Sequence, residues 1–261
     1  MAETRTVQAS GADGGTGKGA WGRIAGVFLD PRTTFEAISA AVSIPDPADP
    51  AKTKDRSQWW LPLIVVILVS IAVTAYTVPN IVMPEQAKLI REAVMERGGT
   101  AEQAEQAIRM SGAFGLPMGI VSAALGTFIF VLVAAGILHL LTRAIGGKGT
   151  FRHSRAVFSY ALLVSALASL IKLPLIIARK TLFVETGPTL FFRNLEPSDR
   201  LYRFLSGFDI FTLWLVAILV VGYAVAYRLP ARKAAIVVVG LWLLFTCLMP
   251  FLPGGGMFGA S

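Results

Sequence analysis

Apolar residues along this chain are gathered into five long runs that polar segments separate. Each run has about 20 residues or more, the length that an α-helix needs to cross roughly 30 Å of hydrocarbon. The runs, numbered here as spans one to five, are residues 59–78, 114–142, 156–178, 208–227 and 234–252. Since a helix satisfies its backbone hydrogen bonds internally, the pattern predicts an all-α integral membrane protein with five transmembrane helices. Span two exceeds the bilayer thickness, which predicts a tilt or a kink near Pro117.

A shorter amphipathic region, residues 20–58, precedes the first span. Apolar residues recur there at helical spacing on both sides of Asp30 and Pro31, which suit the N-cap and the first position of a second helix. The pattern predicts two short interfacial amphipathic helices joined at Asp30, followed by a linker rich in proline and charge. Such helices either lie in the headgroup region or pack against the protein's own bundle, and the pattern leaves both open.

The remaining polar segments predict two further helical regions and two tails. Residues 84–112 are typical of an external helical hairpin, broken at Gly98 and Gly99, with Thr100 as the second N-cap. Residues 198–205 predict a short interfacial helix. Segments poor in large apolar residues do not form a core, so we expect a disordered N-terminal tail and a Gly-rich C-terminal tail. The tails are residues 1–19 and 253–261, and the five-helix domain covers residues 59–252.

Charge predicts the partners and the orientation. The chain carries a net charge of +8 but only 15% charged residues, against roughly 25% in soluble domains. Because the charges lie between apolar spans, we expect a lipid bilayer and not a nucleic acid as the partner. Fourteen Lys and Arg residues lie on the N-terminal side of the membrane and nine on the other side. The positive-inside rule therefore predicts a cytoplasmic N-terminus, with the C-terminus and both long loops outside.

Few ionisable residues lie within the spans. Lys172 sits seven residues before Arg179, roughly 10 Å below the helix end, where a charge needs a partner, a cavity or a snorkelling route. Asp209 opens span four on the same side, so the two residues form a candidate intramembrane ion pair or polar site. Alternatively Lys172 snorkels alone and Asp209 caps span four. His139, one turn before Arg143, is typical of an interfacial histidine more than of a proton relay.

Small residues recur every four positions within three spans. Such spacing lets membrane helices approach closely, because lipid supplies no hydrophobic drive for their association. The predicted helix-packing residues are Gly119, Ala123, Gly126, Ala161, Ser165, Ser169, Gly222 and Ala226.

The sequence contains no arrangement of residues that predicts catalysis. Paired carboxylates, a His-Glu metal motif and a nucleophile with a placed base are missing from the spans. Cys247 is the single cysteine, and the two histidines have no ligand spacing. We therefore predict no catalytic residues, no metal site, no cofactor and no enzymatic activity.

The chain resembles a known family through four segments in order. These are "FLDPRTTFEAI" before the "WWLPL" start of span one, "GGKGTFRHSRAVFSYA" leading into span three, "FDIFTLWLVAILVVGYAV" in span four and "RKAAIVVVGLWLL" in span five. The order is similar to that of the Yip (Ypt-interacting protein) domain family in its bacterial branch. The resemblance implies a five-helix membrane domain with a cytoplasmic N-terminus, in the bacterial cytoplasmic (inner) membrane.

The resemblance also bears on function. Eukaryotic relatives act in vesicle traffic and bind small GTPases, but their signature, an Asp-Leu with a following Gly-Pro in the first spans, is not present here, so we do not expect GTPase binding. The leading interpretation is a non-enzymatic membrane scaffold that associates with itself or with other membrane proteins, in membrane organisation or trafficking. The alternative is a small-solute transporter or permease subunit that works as an oligomer, with a polar cavity at Lys172, Asp209 and the Ser165–Ser169 face.

Overall fold

A computed structural model describes residues 19–46, 49–182, 184, 186–192, 195 and 199–251. The two predicted tails lie outside this part of the chain, apart from Gly19. The described residues form ten α-helices, one π-helical turn, two short 3-10 segments and two short strands. Five helical stretches are long and apolar enough to cross a membrane, namely Trp60–Glu96, Ala101–Ala144, Phe151–Arg179, Ile210–Tyr227 and Ala231–Leu248. The predicted fold class, an all-α membrane protein with five transmembrane helices, is confirmed.

Spans one and two continue beyond the bilayer as one helical hairpin. Helix α3 (Trp60–Thr77) passes through a π-helical turn (Val78–Val82) into α4 (Met83–Glu96). Helix α5 (Ala101–Ala144) has 44 residues, a length of about 66 Å at 1.5 Å per residue. The sequence predicts a separate hairpin helix and span near residue 113, but the structure has no break there. Pro117 lies inside this helix, and the helix continues through it although an interior proline removes one backbone hydrogen bond and crowds the preceding turn.

The turn between α4 and α5 has the predicted chemistry. Gly98 adopts a φ of +76°, a left-handed conformation that glycine reaches without steric cost. The Thr100 side chain accepts a hydrogen bond from the Gln103 backbone, and the Gln103 side chain accepts one from the Thr100 backbone. This capping box satisfies two of the amide groups that the first turn of α5 leaves free.

Span three is divided into two helices. Helix α6 (Phe151–Ala161) starts five residues before the predicted span, and α7 (Leu163–Arg179) follows after a bend at Leu162. Helix α8 (Arg200–Ser206) corresponds to the short interfacial helix. Spans four and five are α9 (Ile210–Tyr227) and α10 (Ala231–Leu248).

The amphipathic N-terminal region packs against the bundle. It forms α1 (Ala20–Leu29) and α2 (Pro31–Val42), and Asp30 accepts a hydrogen bond from the Thr33 backbone N–H as the N-cap of α2. Phe35, Ile38 and Val42 of α2 are buried in the same apolar core as residues of α6 and α9. The linker after α2 contains a small antiparallel ladder, β1 (Ile44–Asp46) with β2 (Asp49–Lys54), which the sequence does not predict.

Candidate functional site

The structure brings Lys172 and Asp209 together at one end of the bundle. The Lys172 Nζ atom lies 3.0 Å from Asp209 Oδ2, and the two side chains are 16% and 12% exposed. The other carboxylate oxygen, Oδ1, accepts hydrogen bonds from the backbone N–H groups of Phe211 at 2.7 Å and Thr212 at 3.4 Å. Thr186 also donates its hydroxyl to Asp209. The geometry thus combines the two arrangements that the sequence offers as alternatives, because Asp209 caps α9 and faces Lys172.

We expect the loss of Lys172 to cost less than the loss of Asp209. Lys172→Met removes one donor, but the carboxylate keeps Thr186 and two amides, so we expect unfolding free energy to fall by about 1–2 kcal/mol. Asp209→Ala also removes the N-cap, which adds about 1 kcal/mol. Asp209→Asn is the matched control, because asparagine caps a helix without a charge and should resemble Lys172→Met. Thermal unfolding in detergent measures these differences, and equal losses for Asp209→Ala and Asp209→Asn would contradict the capping role.

At the opposite end, a glycine-rich loop encloses the ring of Tyr227, the last residue of α9. A Cβ atom on Gly147 or Gly149 would lie 2.9 Å and 2.8 Å, respectively, from atoms of this ring. The backbone N–H of Lys148 donates to the Tyr227 carbonyl at 2.9 Å. The hydroxyl of Tyr227 lies 2.6 Å from His139 Nδ1. These contacts fasten the loop between α5 and α6 to the end of α9, and they give His139 a structural partner.

A second pair of polar side chains, Ser154 and Tyr223, joins three helices one helical turn before Tyr227 along α9. The Ser154 hydroxyl lies 2.5 Å from the Tyr223 hydroxyl and 2.6 Å from the Ala135 carbonyl. Ser154 and Tyr223 are fully buried, and the Tyr223 ring stacks on Tyr227 with centroids 5.5 Å apart. Sequence reasoning missed this network. The available signals are the two tyrosines four residues apart in α9 and the glycines that make room for one of them.

A third polar cluster fastens the linker before span one to span three. Arg155 of α6 places a guanidinium nitrogen 2.9 Å from Asp55 Oδ2, and the two side chains are 24% and 13% exposed. The same guanidinium lies 4.4 Å from the centroid of the Trp59 ring. Ser57 donates to Asp55 Oδ1 from its hydroxyl at 2.6 Å and from its backbone at 3.0 Å. Tyr160 donates its hydroxyl to the Ser57 carbonyl at 3.1 Å.

The environment of Asp55 favours its charged form. Burial raises the pKa of this carboxyl, but hydrogen bonds from Ser57 and the charge of Arg155 lower it by more, so the pKa lies below the ordinary value of 3.8. Asp55 is therefore a carboxylate at neutral pH. The sequence places Asp55 in a linker and Arg155 in a basic loop, 100 residues apart, and no local pattern predicts that they meet.

The predicted small residues divide into packed and open positions. A Cβ on Gly119 would contact Thr74 and Val78 of the spans-one-and-two hairpin at 3.2–3.3 Å, and one on Gly222 would lie 2.5 Å from Val157. Ala161 and Ala226 are buried, whereas Ala123, Ser165 and Ser169 are half-buried. Among the residues that the structure describes, no atom lies within 4 Å of the Cβ position of Gly126, so its role in helix packing stays a prediction. Gly126 lies on the side of α5 that faces away from the bundle.

The side chains of the polar clusters form hydrogen bonds and ion pairs with one another, and they do not form a metal-binding set. Among the described residues, no group of three or more His, Cys, Asp or Glu side chains could hold a metal ion. Cys247 is exposed on α10. The three clusters, around Asp209, Tyr227 and Asp55, hold helices and loops together at the two ends of an apolar bundle.

Comparison with known proteins identifies the family. The Yip1 domain matches residues 25–252, which include helices α2 to α10 and the second half of α1. No curated protein and no solved structure matches the chain. The match covers most of the sequence and agrees with the five-span architecture, so the chain is a multi-pass membrane protein that belongs to the Yip1 domain family.

Proposed function

We propose that this protein is a non-enzymatic membrane scaffold that acts through helix packing in membrane organisation. The supporting observation is the use of its polar side chains. Lys172 with Asp209, Tyr227 with His139 and Arg155 with Asp55 each join separate elements at an end of the bundle. Between these ends the core is formed mainly by packed apolar side chains from α1, α2, α3, α5, α6, α7, α9 and α10. Such an arrangement stabilises a rigid shape and presents helix faces to other membrane proteins.

The open face of α5 is the surface that we propose for self-association. Ser122 and Gly126 are exposed at a four-residue spacing, and no atom of the described residues lies within 4 Å of the Gly126 Cβ position. Small residues at this spacing allow close approach of a second membrane helix.

Disulfide cross-linking in membranes tests this proposal. In a Cys247→Ala background, Gly126→Cys should give a covalent dimer on oxidation. The matched control is Gly240→Cys on α10, because Gly240 is also a helical glycine whose Cβ position has no atom within 4 Å in the part of the chain that the structure describes. This variant should remain monomeric. Equal yields at the two positions, or no dimer at either, would argue against association through α5.

A transporter or permease subunit is the second candidate, and the Lys172–Asp209 pair favours it. Charged residues at membrane depth mark ion and substrate pathways in many membrane proteins. A transporter requires a polar cavity that reaches the middle of the bundle and binds a solute. Native mass spectrometry of the protein purified in mild detergent distinguishes the two, because a scaffold should carry lipid alone. A retained solute that Asp209→Asn releases would establish the transporter.

We further propose that the protein lies in the bacterial cytoplasmic membrane with its N-terminus in the cytoplasm. The excess of Lys and Arg on the N-terminal side of the spans supports this orientation. A reporter enzyme that works only outside the cytoplasm should be active when fused after Ser261. The same reporter inserted after Arg228 should be silent. The opposite result at both sites would reverse the orientation.

A further inference from the structure

Helices α1 and α2 are joined at Asp30. The start of α1 and the end of α2, called here the open ends, lie at a different depth in the bundle from the connection, called here the tip. Arg23 of α1 donates to the Ser57 carbonyl at 3.4 Å, and the Ala41 carbonyl at the end of α2 accepts from the Arg56 backbone at 2.8 Å. Residues 56 and 57 are separated from Trp59, at the start of span one, by Gln58 alone. The open ends therefore lie where span one enters the membrane.

The two helices fold back on each other tightly. A Cβ on Gly26 would lie 2.3 Å from the Thr34 hydroxyl, so the helices touch four residues before and four residues after Asp30. Only glycine at position 26 permits this approach. The pair is therefore an antiparallel hairpin whose tip is Leu29, Asp30 and Pro31.

Two contacts fix how far this hairpin extends along α9. The Phe35 ring lies 3.2 Å from the Gly222 Cβ position, and the Phe28 ring packs edge-on against Trp214 with centroids 5.7 Å apart. Phe28 lies two residues before Asp30 at the tip and contacts Trp214, whereas Phe35 lies five residues after Asp30 and contacts the Gly222 position. The tip is therefore nearer the start of α9 than the open end of α2 is, so α2 runs in the same direction as α9. Trp214 lies 13 residues before Tyr227, the last residue of α9, which is about 20 Å along the helix.

The hairpin tip thus lies beside the middle of a membrane-spanning helix. Helix α9 has 18 residues, a length of about 27 Å, which matches the roughly 30 Å of hydrocarbon in a bilayer. Allowing for the reach of the two rings, the tip is about 15 Å from the end of α9 at which the hairpin's open ends lie. A pair of helices that lay flat on the surface would not contact Trp214.

We propose that α1 and α2 form a re-entrant hairpin in the leaflet on the N-terminal side, with acyl chains of that leaflet against its outward face. One face of the hairpin is fixed in the core by Val27, Phe35 and Ile38. The outward row of α1 consists of Trp21, Ala25 and Leu29, all exposed and all apolar. Leu29, at the tip, is 85% exposed, and its depth along α9 places it among acyl chains.

The charges on α2 fit this depth. Arg32 and Glu36 form an exposed pair with nitrogen and oxygen 3.3 Å apart. Glu36 follows Phe35, which lies beside Gly222, only five residues from the end of α9. Arg32 is the deeper of the two, and its guanidinium extends back towards Glu36 and the headgroups, as long basic side chains do near a membrane surface. At the tip, Leu29 is the exposed apolar side chain, and the exposed Asp30 carboxylate accepts a hydrogen bond from the Thr33 backbone N–H. The Arg32–Glu36 pair lies between the tip and the open end of α2.

Single-cysteine reporters in lipid nanodiscs test the depth of the tip. In the Cys247→Ala background, Leu29→Cys is compared with Ala40→Cys, since both positions are exposed helical sites and Ala40 lies at the open end of α2. Nanodiscs of phosphatidylcholine and phosphatidylglycerol expose both membrane faces to reagents. We expect a charged maleimide to label position 29 about tenfold more slowly than position 40, because the reactive thiolate does not form in hydrocarbon. A bimane at position 29 should be quenched more strongly by mid-chain spin-labelled lipid.

Two outcomes would overturn the re-entrant hairpin. Equal labelling rates with equal quenching at positions 29 and 40 would place the hairpin in water. Slow labelling of position 29 without lipid quenching, together with a disulfide-linked dimer, would show that a second copy covers the face. Trp21→Cys provides a third reporter at the open end of α1, and it should behave like position 40.

Discussion

Replacing Gly222 with leucine is expected to destabilise the protein by about 3 kcal/mol or more, because the position is filled from two sides. Its Cβ would lie 2.5 Å from a methyl group of Val157 in α6 and 3.2 Å from the Phe35 ring in α2. Valine has little rotamer freedom in a helix, and Phe35 is fully buried. Neither neighbour can move without separating α2, α6 and α9.

Gly240 provides the matched control for this substitution. It is also a glycine inside a span, but none of the described residues places an atom within 4 Å of its Cβ position. Gly240→Leu should leave the melting temperature unchanged or raise it, because glycine costs a helix about 0.5–1 kcal/mol relative to better helix formers. Thermal unfolding in one detergent measures both variants. Similar losses at positions 222 and 240 would mean that α2 does not pack against α9 in solution.

Gly222, Gly240 and Gly126 together show which helix contacts can be predicted from the sequence. Spacing of small residues predicts that a helix face permits close approach, and Gly119 and Gly222 do contact neighbouring helices. Gly126 has the same local pattern but an open side. Which face of a span turns inward depends on the arrangement of all five spans, and a pattern within one helix does not contain that information.

The sequence predicts the five spans, but it does not predict most of the polar contacts between them. Runs of apolar residues determine the spans because crossing hydrocarbon is a local requirement of length and composition. The capping role of Asp209 can also be predicted from the sequence, since an acidic residue at the start of a helix is a common N-cap. In contrast, the Ser154–Tyr223 pair and the Tyr227–His139 pair join residues 69 and 88 positions apart. Such contacts arise from the tertiary arrangement of helices, and none of these residue types is unusual at a membrane surface.

The length of α5 was missed for a related reason. The polar hairpin residues and the apolar span differ in composition, which predicts a boundary near residue 113. A helix does not require uniform polarity, and α4 lies beside α5 beyond the membrane, so the helix continues through the change of solvent. Composition thus locates the bilayer boundary on α5, and it does not locate the end of the helix.

Removing the guanidinium of Arg155 is expected to lower the unfolding free energy by about 2–3 kcal/mol, since Asp55 loses its cation and keeps only the two donors of Ser57, and the contact of the guanidinium with the Trp59 ring is lost as well. Arg155→Met keeps the long apolar stem and so isolates the charge. The exposed pair of Arg32 and Glu36 has a similar separation, 3.3 Å, but Arg32→Met should cost at most about 1 kcal/mol because water screens the charges. Equal losses at the two pairs would show that burial does not strengthen the pair with Asp55.

The same cluster predicts a dependence of stability on pH. The pKa of Asp55 is lower in the folded protein than its ordinary value of 3.8. The folded state therefore holds the carboxylate charged where the unfolded chain binds a proton, so the contribution is complete above pH 3.8 and is lost as pH falls through the folded-state pKa. Asp55→Asn should remove this part of the acid destabilisation, and the stabilities of variant and wild type should converge as pH is lowered below 3.8. A constant difference between Asp55→Asn and wild type across this range would mean that Asp55 has the same pKa in the folded and unfolded states.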